Sequence, residues 1–217
     1  MDGAATRDQI LATALRLFRE HGYEATTMRR IATEAGVATG NAYYYFPSKQ
    51  HLVQELYREV TAEHARRARE VLAAAGPDLG ARLAAVWAAG LDVFEPYHAF
   101  GVEFVTTAIR PGSPSSPFSP ASAAARETSL AMIGELVTGI RPRVPERLRE
   151  QLPELLWLAQ LGIMLFWVHD DSPGQRRTRA LTAQAAPLVA RLVRLARLPV
   201  LRTAVDDVLR LVTAGRS

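Results

Sequence analysis

The 217-residue chain contains no cysteine. This excludes disulfides, thiolate nucleophiles and cysteine-ligated zinc. It contains one lysine, Lys49, against 25 arginines, a bias that fits GC-rich coding given the abundant Ala and Pro. Aromatic residues make up only 7%, and Val, Ile and Thr form no period-two runs, so no segment reads as a strand. The longest apolar run, Leu155 to Val168, is interrupted by Gln160 and is too short to span a bilayer. The N-terminus mixes Arg7, Asp8, Arg16, Arg19 and Glu20 with apolar residues. It reads as an amphipathic helix and not a secretory signal, and the expected location is the cytoplasm. Catalytic signatures are also missing: there is no G-x-S-x-G, G-x-G-x-x-G, P-loop or H-E-x-x-H. The five histidines show no metal-ligand spacing. The sequence therefore calls for no catalytic residue, no metal and no cofactor.

What is present points to helices. Ala, Leu and Arg recur, and apolar residues make up 48% of the chain, so the expected fold class is all-α. The net charge of +4 is unevenly placed: +1 over residues 1–75, −3 over 76–140 and +6 over 141–217. Bulk charge thus marks no DNA-binding part, and any such reading must rest on motif geometry. Thr6 and Gln9 fit a capping box for a helix that runs to His21 and stops at Gly22. Further helices are expected after Thr27 to Ala35, over 39–45 and over 49–75. The last of these follows Phe46-Pro47, with Ser48 as N-cap. Gly76 and Pro77 end it, and Asp78 caps a helix over 79–95. Others are expected over 97–109, 120–140, 146–169, 173–196 and 199–213, the 173–196 helix capped at Ser172-Pro173. The stretch RPGSPSSPFSP, residues 110–120, reads as a loop.

Three of the six tyrosines are consecutive, Tyr43, Tyr44 and Tyr45. At about 100° per residue they sweep about 200° of a helix, so at least one ring must face outward. The segment around them has the layout of a helix-turn-helix. MRRIATEA forms a first helix, Gly36 suits a left-handed turn, and a second short helix follows. Ala32 permits a close helix crossing, and Ile31, Val37 and Phe46 can fill a small core.

The full string TTMRRIATEAGVATGNAYYYFPSKQHL resembles the N-terminal signature of the TetR family of bacterial transcriptional regulators. That family runs T-x-R-x-I-A-x-x-A-G-V-S-x-G-x-x-Y-x-[HY]-F-x-x-K-x-x-L. Thr27, Arg29, Ile31, Ala32, Ala35, Gly36, Val37, Gly40, Tyr43, Tyr45, Phe46, Lys49 and Leu52 match without an insertion. Phe18, Gly22 and Tyr23 also fit the family's first helix. The chain departs from the pattern at Ala38, where the family has Ser or Thr, and a cap or phosphate contact is lost there. The resemblance covers residues 6–57 by motif. It implies a three-helix DNA-binding head over 1–48 and a helical ligand-binding and dimerisation domain over 49–217.

By this resemblance Thr39, Gly40, Asn41 and Tyr44 lie where the family reads bases. Asn41 can pair with an adenine and Arg29 can reach a guanine. Thr27, Tyr43, Tyr45 and Lys49 lie where the family holds phosphates. The resemblance also implies a homodimer on a double-stranded, near-palindromic operator, and a small apolar effector that releases it. Candidate effector contacts are Trp87, Phe94, Tyr97, Phe104, Trp157, Gln160, Met164 and Trp167, with His98 and Glu103 as further polar groups. Gln160 stands out because an amide within an apolar helix needs a hydrogen bond, from a ligand or a partner subunit. His169-Asp170-Asp171 reads as a helix end and turn. The implied function is a ligand-responsive transcriptional repressor that acts on DNA and not on a membrane. The alternatives are an activator, or a helical small-molecule-binding or interaction protein. An enzyme is disfavoured by the missing signatures.

Overall fold

The computed structural model describes residues 3–110, 112–144 and 146–196, the side chains of 103, 107 and 147 excepted. The described residues form helices and turns and contain no strand. The helices are α1 (Gly3–His21), α2 (Met28–Glu34), α3 (Thr39–Tyr45), α4 (Lys49–Ala74), α5 (Leu79–Phe94), α6 (His98–Ala108), α7 (Ala123–Val137), α8 (Glu146–Arg149), α9 (Leu152–Trp167) and α10 (Arg176–Leu195). Among the described residues no helix is long and apolar enough to cross a membrane. The helix expected over 199–213 and the side chain of Glu103 lie outside the described residues.

Packing divides the chain into two compact units. The described residues of Met1–Ala62 and Phe94–Arg126 form one, and those of Glu63–Val93 and Glu127–Ser217 the other. The first unit therefore takes in α6 and the Pro/Ser stretch, which lie far along the chain from the expected head.

Several sequence signals act as read. Gly22 ends α1 at φ +81°, with its N–H on the Phe18 carbonyl at 3.0 Å. Asp78 caps α5 by accepting from the Ala81 N–H at 2.9 Å. Others do not. Helix α1 already exists at Gly3, so Thr6 lies inside it, and Gln9 donates to the Ala35 carbonyl at 2.9 Å instead of closing a capping box. Ser48 Oγ meets His51 Nδ1 at 2.9 Å. The span 146–169 is not one helix, because Pro153 sits in the first turn of α9 and separates it from α8. The span 173–196 opens with a 3₁₀ turn, Pro173–Gln175, in which Gly174 and Gln175 take positive φ, before α10 begins. The Pro/Ser stretch is a run of tight turns. Ser116, Ser119 and Ser122 N–H groups bond the carbonyls three residues back. Arg126 donates to Pro117 O at 2.7 Å, and Gln54 to Pro114 O.

The core of the second unit gathers Leu83, Val86, Trp87, Met132, Leu136, Leu156, Trp157 and Ala186. Two of the buried polar side chains inside it bond backbone carbonyls. Arg82 donates to the carbonyls of Leu136 (2.9 Å), Glu135 (3.2 Å) and Thr138 (3.3 Å), which closes the C-terminal end of α7. His64 Nε2 meets the Val86 carbonyl at 3.0 Å, and its ring rests on Gly90, where a Cβ would approach to 2.8 Å. Desolvation lowers the His64 pKa, partly offset by the bond to the Val86 carbonyl.

Candidate nucleic-acid interface

The head is built on one face of each of its helices. Ile10, Ala14, Leu17 and Phe18 of α1 are at most 1% exposed. Ile31 and Ala32 of α2, Ala42 of α3 and Phe46 pack into the same buried layer. Phe18 also meets Tyr23 and Phe100, at ring separations of 5.2 and 6.0 Å. The turn between α2 and α3 is closed by two bonds. Gly36 N–H reaches Thr33 O at 3.1 Å and Val37 N–H reaches Ala32 O at 3.0 Å. This pattern requires a left-handed residue in the middle, and Gly36 supplies it at φ +65°. Thr27 starts α2, its hydroxyl accepting from the Arg30 N–H at 3.2 Å. Thr26, which sequence reading passed over, is fully buried and donates to Gly22 O at 2.8 Å, tying the next turn to the end of α1.

Helix α3 gives almost nothing to the core. Of its seven residues only Ala42 is buried. Thr39, Gly40 and Asn41 face solvent, as do Tyr43 at 48% exposure and Tyr44 at 80%. Tyr45 is half-buried and stands edge-on to Tyr44 at 5.2 Å. The outward tyrosine required by helical geometry is therefore chiefly Tyr44. Ala38 is the N-cap of α3 and offers no side-chain bond. Gly40 has normal helical backbone, and a Cβ there would meet nothing within 4 Å. Glycine weakens a helix by about 1 kcal/mol relative to alanine. The chain's own packing gives no reason for that loss, and the bare backbone lies open to whatever docks on α3.

Arg29 is exposed on α2. Arg30, exposed as well, donates to His21 Nε2 at 2.8 Å. Lys49 is differently placed from the other DNA-binding candidates. Its ammonium donates to Tyr23 O at 2.7 Å, lies 3.5 Å from Glu24 O, and sits 4.3 Å from the centre of the Tyr23 ring. Burial lowers its pKa, partly offset by the Glu24 carboxylate. Lys49 thus pins the first turn of α4 to the α1–α2 connection.

The effector candidates are divided between the two units. Trp87 and Trp157 belong to the core of the second unit, and Trp167 is 3% exposed. Met164 is half-buried, and Gln160 Oε1 is buried with no hydrogen-bond partner among the described residues. Phe94, Tyr97 and Phe104 are half-buried and belong to the first unit. There Tyr97 packs on Phe100 at 6.1 Å and Phe104 on Tyr57 at 6.2 Å.

Residues 10–56 match the family model described as bacterial regulatory proteins of the tetR family, and residues 82–211 match the tetracyclin repressor-like C-terminal domain. The chain belongs to the TetR family. Among curated TetR-family relatives it is 33% identical over 96 residues to the HTH-type transcriptional repressor KstR2 of Mycolicibacterium smegmatis, covering 44% of this chain and 46% of that one. It is 43% identical over 72 residues to KstR of Mycobacterium tuberculosis, covering 33% of each chain. The chain spans about half the length or less of these curated relatives. Among solved TetR-like structures, a regulator from Shewanella superposes with a TM-score of 0.56 at 25% identity, covering 83% of this chain and 97% of that one. The fatty acid degradation regulator FadR of Bacillus halodurans superposes with a TM-score of 0.63 at 19% identity, covering 83% and 94%. That second likeness concerns the fold alone.

Proposed function

We propose that the chain is a cytoplasmic, homodimeric repressor that binds a near-palindromic DNA operator through α3 and is released by a small apolar effector. The exposure of α3 carries this reading. A seven-residue helix is too short to persist alone, yet the head holds it in place while burying only Ala42. In a helix-turn-helix such a helix enters the major groove. Tyr44 can offer its ring to a thymine methyl and its hydroxyl to a phosphate. Asn41 can pair with an adenine, and Arg29 can reach a guanine. Thr39 reads alongside them, Gly40 admits the backbone, and Thr27, Tyr43 and Tyr45 meet phosphates. Gln160 and Met164 in the second unit, and Phe94, Tyr97 and Phe104 in the first, are the remaining effector candidates. Release requires that the effector bind more tightly to the state that does not hold DNA.

Selection of fragments from the source genome tests the reading. The intact chain should enrich a palindrome, and Arg29→Ala and Tyr44→Ala should each lower affinity for it at least tenfold, about 1.4 kcal/mol. Enrichment of no common sequence, with or without cell extract as a source of effector, would overturn it. So would two variants that bind as the intact chain does.

Lys49 has a separate expectation. Each phosphate contact contributes about 0.9 to the slope of log affinity against log salt, so losing one per protomer of a dimer would reduce the slope by about 2. Since the ammonium is already engaged by Tyr23, Lys49→Met should leave that slope unchanged while lowering the melting temperature. A slope shallower by about 2 would instead place Lys49 on the phosphate backbone.

A further inference from the structure

Neighbouring side chains on a helix point about 100° apart and do not ordinarily face each other. Tyr44 and Tyr45 depart from this. Their rings stand 5.2 Å apart at 81°, the edge-to-face arrangement that the ring quadrupole favours. The two members of the pair are held very differently. Tyr44 is 80% exposed and has little else to rest on. Tyr45 is half-buried and lines a cleft shared with Arg7, Phe46 and Tyr57. Its hydroxyl lies beside Gly3 in the first turn of α1, where an added Cβ would come within 3.2 Å. That spacing is tighter than an ordinary van der Waals contact, so the absence of a side chain at Gly3 lets the Tyr45 ring approach α1 this closely. The start of α1 thus backs Tyr45, and Tyr45 backs Tyr44.

A surface tyrosine ordinarily moves among several rotamers, and ordering it on a base opposes binding. A ring already fixed in the direction of use avoids part of that cost. We infer that Tyr45 is a positioning residue for DNA reading, its ring holding the Tyr44 ring in the orientation that meets a base. The role presupposes that α3 reads DNA as proposed above. It belongs to the ring of Tyr45 and is separate from the hydroxyl, the group proposed for a phosphate. Tyr45→Phe keeps the ring and removes only the hydroxyl. Tyr45→Leu keeps apolar bulk beside α1 but removes the ring that Tyr44 stands against.

A mutant cycle on the palindrome recovered by the full chain tests this. Tyr44→Ala is introduced into the intact chain, into Tyr45→Phe and into Tyr45→Leu, and operator affinity is measured for each. In the intact chain and in Tyr45→Phe it should cost about tenfold or more. In Tyr45→Leu it should cost about threefold or less, because Tyr44 has already lost its support. Base preference separates positioning from damage to α3. Tyr45→Leu should erase preference only at the base pair where Tyr44→Ala erases it, whereas a loosened helix would relax every pair that α3 reads. In the free chain, without DNA, nuclear Overhauser contacts between the two rings should be present, and they should persist in Tyr45→Phe. A tenfold cost of Tyr44→Ala in all three backgrounds would overturn the inference and leave the repressor reading standing. So would a small cost in Tyr45→Phe, preference relaxed at every pair, or no ring-to-ring contacts in the free chain. Failure to recover any operator would overturn the repressor reading itself, and the role of Tyr45 with it.

Discussion

The double variant Leu188→Glu, Leu192→Glu will sediment as a monomer and bind the operator proposed above at least about a hundredfold more weakly than the intact chain. Helix α10 is apolar on two faces. Thr178, Thr182, Ala186, Ala190 and Val193 turn inward and are buried. On the other side Leu181, Leu188, Leu192 and Leu195 are 40%, 49%, 57% and 45% exposed. Their spacing of seven, four and three residues keeps them on one stripe. Helix α9 adds Leu158, Leu165 and Phe166, each between 37% and 48% exposed. Contiguous apolar patches of this kind mark association surfaces, and two helices from each copy would bury them as a four-helix bundle. Two heads joined in this way bind two half-sites as one ligand, and separating them removes the gain from effective concentration. The glutamates project from an exposed stripe, so the helical content of the monomer should be retained. An unchanged sedimentation coefficient at micromolar concentration would sink the prediction.

The largest loss of stability from a single residue is expected at Asp170. Asp170→Ala should lower the unfolding free energy by about 3 kcal/mol, on the scale of hydrogen bonds to a charged group. At about 2–4 °C per kcal/mol for a chain of this size, that is roughly 6–12 °C in melting temperature. The carboxylate is 2% exposed and accepts four bonds. One oxygen takes the N–H and hydroxyl of Thr178, both at 2.7 Å. The other takes the N–H of Ser172 at 3.1 Å and its hydroxyl at 2.6 Å. Ser172 Oγ in turn accepts the Arg177 N–H at 3.2 Å, so one carboxylate fixes the entry to α10. These bonds hold its pKa well below the usual carboxylate range despite burial. The unfolded chain titrates near the ordinary aspartate value of about 3.9. The contribution of Asp170 is therefore complete above that pH and is lost as pH falls through the folded value. Urea unfolding at pH 7 measures the effect, and a loss below about 1 kcal/mol would show that the turn holds without the carboxylate.

Periodicity and turn residues made the head legible. Helix α3 runs over 39–45 as read, and Gly36 takes the left-handed conformation that the motif required. Local signals failed where a distant partner outbid them. Gln9 fits a capping box by spacing, yet its amide is held by Ala35, 26 residues away. Lys49 is a different case: it remains a phosphate candidate by resemblance, and one of its three donors also holds a carbonyl 26 residues earlier. A row of Pro and Ser reads as a loop by composition, and its turn bonds run between Ser113, Ser116, Ser119 and Ser122, a spacing of three that matches neither strand nor α-helix periodicity. Aromatic residues at helical spacing mark a core as readily as a pocket, and Trp87 and Trp157 went to the core.

Helix α3 also bears on how such a protein can change. The head shares with the exposed surface of this helix a single buried residue, Ala42. Replacing Thr39, Asn41, Tyr43 or Tyr44 removes no side chain from the core, and a side chain at Gly40 meets open space. Surface changes of this sort usually fall within about 0.5 kcal/mol of neutral. Mutational drift in binding preference is thereby uncoupled from folding, so a duplicated copy can acquire a new target one substitution at a time without first being stabilised elsewhere.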